Sequence, residues 1–405
     1  CEDYASIRCP VMAISGWADG YTDAVFRLLE HLDVPTQGLV GPWSHKYPHQ
    51  GVPGPAIDFH AQMQTWWDRW LKDTADSAPA SPALCAWVQE AAEPATRYHQ
   101  RPGRWVAEAQ WPSADIHPHW LYPQQGGHLH STPAADSAPA LSIQSPLSLG
   151  LFAGKWCSYA AGPDLPYDQR EEDGGALFFE SQPFYTELEL LGAPELSLCF
   201  SVDQPMAQVA ARLSDVAPDG KATRITYGVF NLNHHQGHDQ PERLVPGQSY
   251  KVRFALNHLG HRLTPGHRLR LSLSTSYWPL ALPAPRPVTL SVWPADTALQ
   301  LPVRQASEPA VPVAFGRPSH QEPSIVKEIQ PGEQRWRVIR DLESSASTLE
   351  VIKNEGVYQL TDIDLEIADY TREYYHSVGE DFASIEGEVI AERRLRRGDW
   401  DITTR

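Results

Sequence analysis

A short parallel α/β segment followed by a β-sandwich is the fold class that this 405-residue sequence predicts. Three observations carry that expectation. Residues 1 to about 82 alternate short apolar runs with helical periodicity, the rhythm of a parallel sheet. From Leu84 to about Val313 the pattern changes to many short strands between Gly/Pro turns, which implies a sandwich or jelly roll. The chain also holds 36 prolines and 27 glycines, which excludes long helices, because proline ends helices and interrupts sheet interiors.

The elements follow in order. Val11-Met12-Ala13-Ile14, bounded by Pro10 and Gly16, reads as a strand buried on both faces. Val25, Leu28, Leu29 and Leu32 recur at i, i+3, i+4, i+7 and make one helix face. Leu39-Val40 begins a second strand, cut off by Gly41-Pro42. A second helix spans about Ile57 to Lys72, its Trp66 and Trp70 sharing an i, i+4 face that reads as core rather than as a ligand platform. Two strands cannot stand alone as a sheet, so this segment belongs to something larger. Thr74 to Pro82 reads as a linker. Leu188–Val202, Gln208–Leu213, Tyr250–Leu256 and the alternating Arg268–Ser274 read as strands. No helix of substantial length is expected there. Beyond about Glu333 the chain is again β-like, with a hairpin predicted where Asn354-Glu355-Gly356 separates two apolar runs.

Charge narrows the partners. Thirty-three basic and fifty acidic residues give −17, which repels phosphate backbones and anionic lipid surfaces. The one basic cluster, Arg393, Arg394, Arg396 and Arg397, lies in a strand-like stretch expected to face solvent. No run approaches the roughly 20 apolar residues of a membrane span. No nucleic-acid or membrane partner is therefore expected. Five scattered cysteines without C-x-x-C spacing argue against a zinc site or a disulfide framework and fit a reducing, cytoplasmic compartment. The chain opens at Cys1 rather than methionine, so the lack of a targeting segment carries no weight.

The sharpest chemical signal is Gly16-Trp17-Ala18-Asp19-Gly20 after the first strand, with Gly41-Pro42-Trp43-Ser44-His45 after the second. Loops beyond the carboxyl ends of parallel strands are where such folds place catalytic groups. An Asp and a His on successive loops can fix the imidazole tautomer and stabilise its charged form. The order Asp then His suits an α/β-hydrolase, whose nucleophile precedes both. On spacing alone a second reading stays open, with Asp19 a turn residue and His45 a hydrogen-bonded loop histidine. Asn233-His234-His235-Gln-Gly-His238 offers three imidazoles but reads as an exposed loop rather than a metal site. Cys1 could in principle be an N-terminal nucleophile, although its polar lead-in argues for an arbitrary start.

Cys9-Pro-Val-Met-Ala-Ile-Ser-Gly-Trp-Ala-Asp-Gly, Gly41-Pro-Trp-Ser-His and Trp66-Trp-Asp-Arg-Trp-Leu-Lys together resemble the cocaine-esterase-like (CocE/NonD) hydrolases and X-prolyl dipeptidyl-peptidases. Asp168-Gln169-Arg170, Ala211-Arg-Leu-Ser-Asp-Val-Ala-Pro-Asp-Gly and Pro265-Gly-His-Arg-Leu-Arg running into Ser276-Tyr-Trp-Pro resemble that family's C-terminal jelly-roll, galactose-binding-like domain. The resemblance implies a C-terminal part of an α/β-hydrolase domain over 1–82, a jelly roll over 83–320 and a β extension over 321–405. It implies Asp19 as triad acid, His45 as general base, and no metal or organic cofactor. Its substrate would be a small ester, amide or peptide. Asp168-Gln169-Arg170, Trp156 and Tyr159 could border the substrate entrance, although Asp168–Arg170 also reads as a structural pair. The family's serine lies in an upstream G-x-S-x-G that this sequence lacks. The chain is therefore expected to be part of a longer enzyme, inactive alone, that docks to a missing N-terminal segment or forms a homodimer. The competing class is a non-catalytic carbohydrate- or partner-binding module.

Overall fold

A computed structural model of the chain describes residues 3–72, 81–160, 162–305 and 313–405. Cys1 and most of the expected 74–82 linker lie outside the described residues. The described chain is mostly β: a curled mixed sheet of seventeen strands and a second, antiparallel sheet of six.

The segment that carries the candidate pair opens with β1 (Val11–Gly16), α1 (Thr22–His31), β2 (Thr36–Gly41) and α2 (Phe59–Leu71). β1 and β2 pair in parallel, Val11 opposite Thr36 through Gly16 opposite Gly41. A third parallel strand, β3 (Leu84–Glu90), joins β2 from beyond the linker. Side-chain alternation splits this small sheet into two faces. Ala13, Val40, Leu84 and Ala86 pack under Val25, Phe26 and Leu29 of α1. Leu39 and Cys85 pack on the other side with Trp43, Ile57 and Phe59. Phe26 and Trp43 are fully buried, each contributing about 1.5–3 kcal/mol of apolar burial. α2 starts at Asp58, whose carboxylate accepts the Ala61 N–H at 3.1 Å, an N-cap worth about 1 kcal/mol. Burial of β1 on both faces is only partial, since Val11, Met12 and Ile14 are half-buried.

β3 carries the sheet onward. It pairs antiparallel with β4 (Gly103–Glu108) and parallel with Leu259–Leu263, placing His261 opposite Gln89. From there Leu188–Gly192, Ala298–Arg304 and Glu195–Val202 lead into an antiparallel layer. A facing layer pairs Ala222–Asn231, Gln208–Val216, Arg268–Ser274 and Leu177–Ser181. The main core lies between them: Leu196, Leu198 and Phe200 meet Val209, Leu213, Leu269 and Leu271.

The expected strand 188–202 is two strands, broken at Ala193-Pro194. Both halves meet Ala298–Arg304, and on their other sides the first pairs with Leu259–Leu263 and the second with Tyr250–Ala255. The helix Arg170–Asp173 is a single turn. The hairpin predicted at Asn354-Glu355-Gly356 is absent. One strand runs from Ala346 to Leu360, with a register shift between Asn354 and Gly356. Gly356 takes a left-handed φ of +76° and its N–H bonds the Asn354 side chain. The turn-like residues thus serve a bulge, while the neighbouring strands pair straight past it.

This second sheet packs on the first through Leu349 and Val351 against Leu151, and Phe382 against Leu147 and Trp278. The arginine cluster is exposed as expected and paired: Arg393 with Asp369, Arg394 with Asp401 and Arg396 with Glu366. Among the described residues no helix is long and apolar enough to cross a membrane.

Candidate active site

The parallel strands deliver Asp19 and His45 to one place. Trp17 N donates to Gly41 O at 2.9 Å and Ala18 N to Trp43 O at 3.0 Å, tying the two strand-end loops together. Gly16 permits that approach: a Cβ there would lie 2.1 Å from the Trp43 carbonyl oxygen. Asp19 then folds into a tight turn. Its N–H reaches Gly16 O, its Oδ1 accepts the Tyr21 N–H at 3.0 Å, and Thr22 Oγ1 bonds its carbonyl. The second carboxylate oxygen is left for His45, and Nδ1 lies 3.0 Å from Oδ2.

Asp19 is thus a turn residue through Oδ1 and an imidazole partner through Oδ2. The Asp19 side chain is 10% exposed and that of His45 44%. A carboxylate–imidazole contact this open adds about 0–1 kcal/mol to stability, so its order comes from the backbone around it.

Much of that backbone order comes from a distant segment. Ser158 N donates to Ala18 O at 3.0 Å, and Ser158 O accepts the His45 N–H at 2.7 Å. Ser158 is itself held by Asp164, whose carboxylate takes its hydroxyl and the N–H groups of Tyr159 and Ala160. The flanking side chains crowd the pair. Tyr159 stands edge-on to His45 at 5.1 Å, Tyr21 tilts against it at 5.7 Å, and Trp156 meets Tyr21 edge-on at 5.2 Å. Tyr159 thus borders His45, and Trp156 borders Tyr21. Asp168 and Arg170 form a two-pronged pair with each other and with the Ala222 N–H, a structural arrangement.

Sequence reasoning missed Cys157, whose Sγ lies 3.5 Å from Asp19 Oδ1. It sits 138 positions from Asp19, and no local spacing announces it. Burial raises its thiol pKa and the Asp19 carboxylate adds to that, against a backbone hydrogen bond from Gly20. It lies on the carboxylate side of the imidazole, so it cannot hand a proton to Nε2, the position a nucleophile would need. Asp19, His45 and Cys157 do place three donor atoms within 4.8 Å of one another. That mixed O, N, S set could hold a borderline-soft divalent ion such as zinc. The histidine tract does not converge in that way. His234 and His238 Nδ1 atoms are 2.8 Å apart, while His235 turns to the Leu232 carbonyl. Trp66 and Trp70 contact each other edge-on, Trp66 buried as expected.

Behind Asp19 lies a cavity of about 130 Å³ between this loop and the sandwich. Trp17, Asp19, Asp23 and Trp156 line one side, and Arg101, Arg224, Tyr227 and His261 the other.

The carboxylate–imidazole pair thus stands at the ends of parallel strands and is tied by Ser158 to a distant part of the chain. Residues 89–311 match the X-Pro dipeptidyl-peptidase C-terminal non-catalytic domain, and residues 1–47 match the X-Pro dipeptidyl-peptidase (S15) family. The chain belongs to this X-Pro dipeptidyl-peptidase and cocaine-esterase-like (CocE/NonD) hydrolase family. It is 22% identical to the cocaine esterase of Rhodococcus sp. (strain MB1 Bresler) over 307 residues, 69% of this chain and 50% of the esterase. Among solved structures it resembles an α-amino acid ester hydrolase (TM-score 0.58, 20% identity, 73% of this chain and 56% of that one). An aminopeptidase from a marine sediment Thaumarchaeota archaeon is similar (TM-score 0.57, 21% identity, 74% and 56%). The chain spans about half the length of the curated relatives it matches.

Proposed function

We propose that residues 1–405 carry the acid and base of a serine hydrolase that cleaves an ester or amide by acyl transfer. In this reading β1, β2 and β3 are the tail of an α/β-hydrolase sheet and the facing β layers are a jelly roll. The observation that carries it is the Asp19–His45 pair, joined through Nδ1 and Oδ2 at 3.0 Å. Nδ1–H donates to the carboxylate, which fixes the tautomer and leaves the Nε2 lone pair to act as base. Among the described residues no hydrogen bond occupies Nε2.

A serine hydroxyl presented to Nε2 loses its proton there as its oxygen attacks the substrate carbonyl. Asp19 stabilises the imidazolium that results, and Nε2–H then protonates the leaving alkoxide or amine. Water repeats the cycle to release the acyl group. Tyr21, Trp156 and Tyr159, all exposed beside His45, supply apolar walls for the substrate.

The sequence holds no G-x-S-x-G, so the nucleophile is assigned outside residues 1–405. A fluorophosphonate, which traps an activated serine, tests the proposal. The purified 405-residue chain is expected to stay unlabelled. The gene product read in frame upstream of Cys1 is expected to carry G-x-S-x-G and to label in a His45-dependent way. Robust ester turnover by the 405-residue chain that is lost in His45→Ala would overturn the assignment.

A further inference from the structure

The cavity behind Asp19 has a second end with its own chemistry. Arg101, 7% exposed, lines it. The guanidinium donates from Nε to Gln89 Oε1 at 3.0 Å and from Nη2 to the Glu90 carbonyl at 3.5 Å, and it stacks on Tyr98 at 4.6 Å. None of these partners is a carboxylate, and among the described residues no ion pair neutralises it. Buried arginines elsewhere in this chain do have such partners: Arg212 meets Glu172 and Asp173, and Arg304 meets Glu108 and Glu189. A buried guanidinium without an anion is costly. Asp215 acts on it through charge alone, without a hydrogen bond; its oxygens face His261 Nε2 at 2.8 Å and His267 Nδ1 at 2.6 Å.

His261 supplies the second observation. It is 1% exposed, lines the same cavity, and its Nδ1 has no hydrogen-bond partner. It stands opposite Gln89 in the strand ladder, and Gln89 is the residue that holds Arg101. A guanidinium without an ion-pair partner among the described residues and an unsatisfied imidazole nitrogen thus belong to residues lining one cavity of about 130 Å³.

We infer that this end of the cavity is a binding site for a small organic carboxylate, one oxygen held by Arg101 and the other by His261 Nδ1. Nε2–H of His261 already donates to Asp215, so in the neutral ring Nδ1 is a lone pair. A carboxylate thus enters together with one proton, shared between its oxygen and Nδ1. Charge then balances: Arg101 and the added proton offset the ligand and Asp215. The other charged groups on the cavity wall are largely committed, Asp23 to His258 and Lys155 to Glu373, while Arg224 donates to the Tyr277 hydroxyl. The site does not depend on the serine-hydrolase assignment, since no turnover is involved.

Calorimetry on the 405-residue chain tests it with sodium propanoate, propanamide and propylammonium. Propanoate is expected to bind, with a heat that differs between phosphate and Tris buffers because a proton is taken up. Propanamide and propylammonium are expected to bind at least roughly tenfold more weakly. Arg101→Gln should weaken propanoate by roughly tenfold or more, and His261→Gln should remove the buffer dependence. Should either variant fail to fold, the comparison of the three probes on the unaltered chain decides alone. Equal binding of propanamide, or no propanoate binding, would overturn the inference.

Discussion

The thiol of Cys157 lies 3.5 Å from Asp19 Oδ1, on the carboxylate oxygen that His45 leaves free. The sulfur therefore shares its neighbour with the imidazole without competing for the same lone pair. Burial and the adjacent negative charge both oppose thiolate formation. Iodoacetamide at neutral pH is expected to modify the exposed Cys9 well before Cys157, as read by peptide mass spectrometry. Asp19→Asn removes the repelling charge and should speed modification of Cys157 while leaving Cys9 unchanged. Equal rates in both proteins would show that the carboxylate does not act on the thiol.

The same substitution separates orientation from folding in the serine hydrolase proposed above. Asparagine keeps an oxygen for the Tyr21 N–H, so the turn at position 19 should survive. Its side chain cannot hold the Nδ1–H tautomer with a compensating charge, and triad enzymes lose on the order of 10⁴ in kcat from that change. A loss of that size with an unchanged melting temperature is expected. A loss under about tenfold would remove Asp19 from the machinery.

Acid stability should report the buried carboxylate of the sandwich. Burial alone would raise the Asp215 pKa, but hydrogen bonds and charge from His261 and His267 outweigh it and hold the group below its ordinary 3.8. The unfolded chain then binds this proton more readily than the folded one between those two values. The contribution is fully present above pH 3.8 and disappears as pH falls through the depressed value. Melting temperature recorded from pH 6 downward should fall less steeply in Asp215→Asn than in the unaltered chain, from a lower starting point.

Glycine substitutions test the joint between the two strand-end loops. A Cβ at Gly16 meets backbone at 2.1 Å, so neither partner can move aside. Gly16→Ala is expected to cost at least about 3 kcal/mol. Gly220 has a left-handed φ of +87° but open space around it. There alanine meets only conformational strain, about 1–2 kcal/mol. Chemical denaturation of the two variants should rank them in that order.

The parallel rhythm and the carboxylate–imidazole contact were legible because both lie in or just beyond short apolar strands at fixed places along the chain. Val11–Ile14 and Leu39–Val40 announced themselves as short apolar runs inside the strands Val11–Gly16 and Thr36–Gly41, and Asp19 and His45 sit just beyond those strands. Asn354-Glu355-Gly356 misled for a local reason. A bulge and a hairpin use the same turn-forming residues, and only the neighbouring strands decide between them. Ser158, Cys157 and Arg101 were illegible for the opposite reason. Cys157 meets Asp19 across 138 residues, and Ser158 bridges Ala18 and His45 from a segment far along the chain. Arg101 is marked by the lack of an ion-pair partner among the described residues. None of these leaves a pattern in the surrounding sequence. β3 was read as the first strand of a separate region, whereas its parallel pairing with β2 depends on a connection that periodicity does not describe.

Ser158 touches both loops of the pair through its own peptide group, N–H to Ala18 and C=O to His45. The two loop backbones can separate only by parting one of these bridges, whereas rotation of the His45 ring leaves both intact. A segment inside the region matched as non-catalytic thereby sets the spacing of the two backbones that present the carboxylate and the imidazole, and leaves the ring's own rotation to the side chains around it.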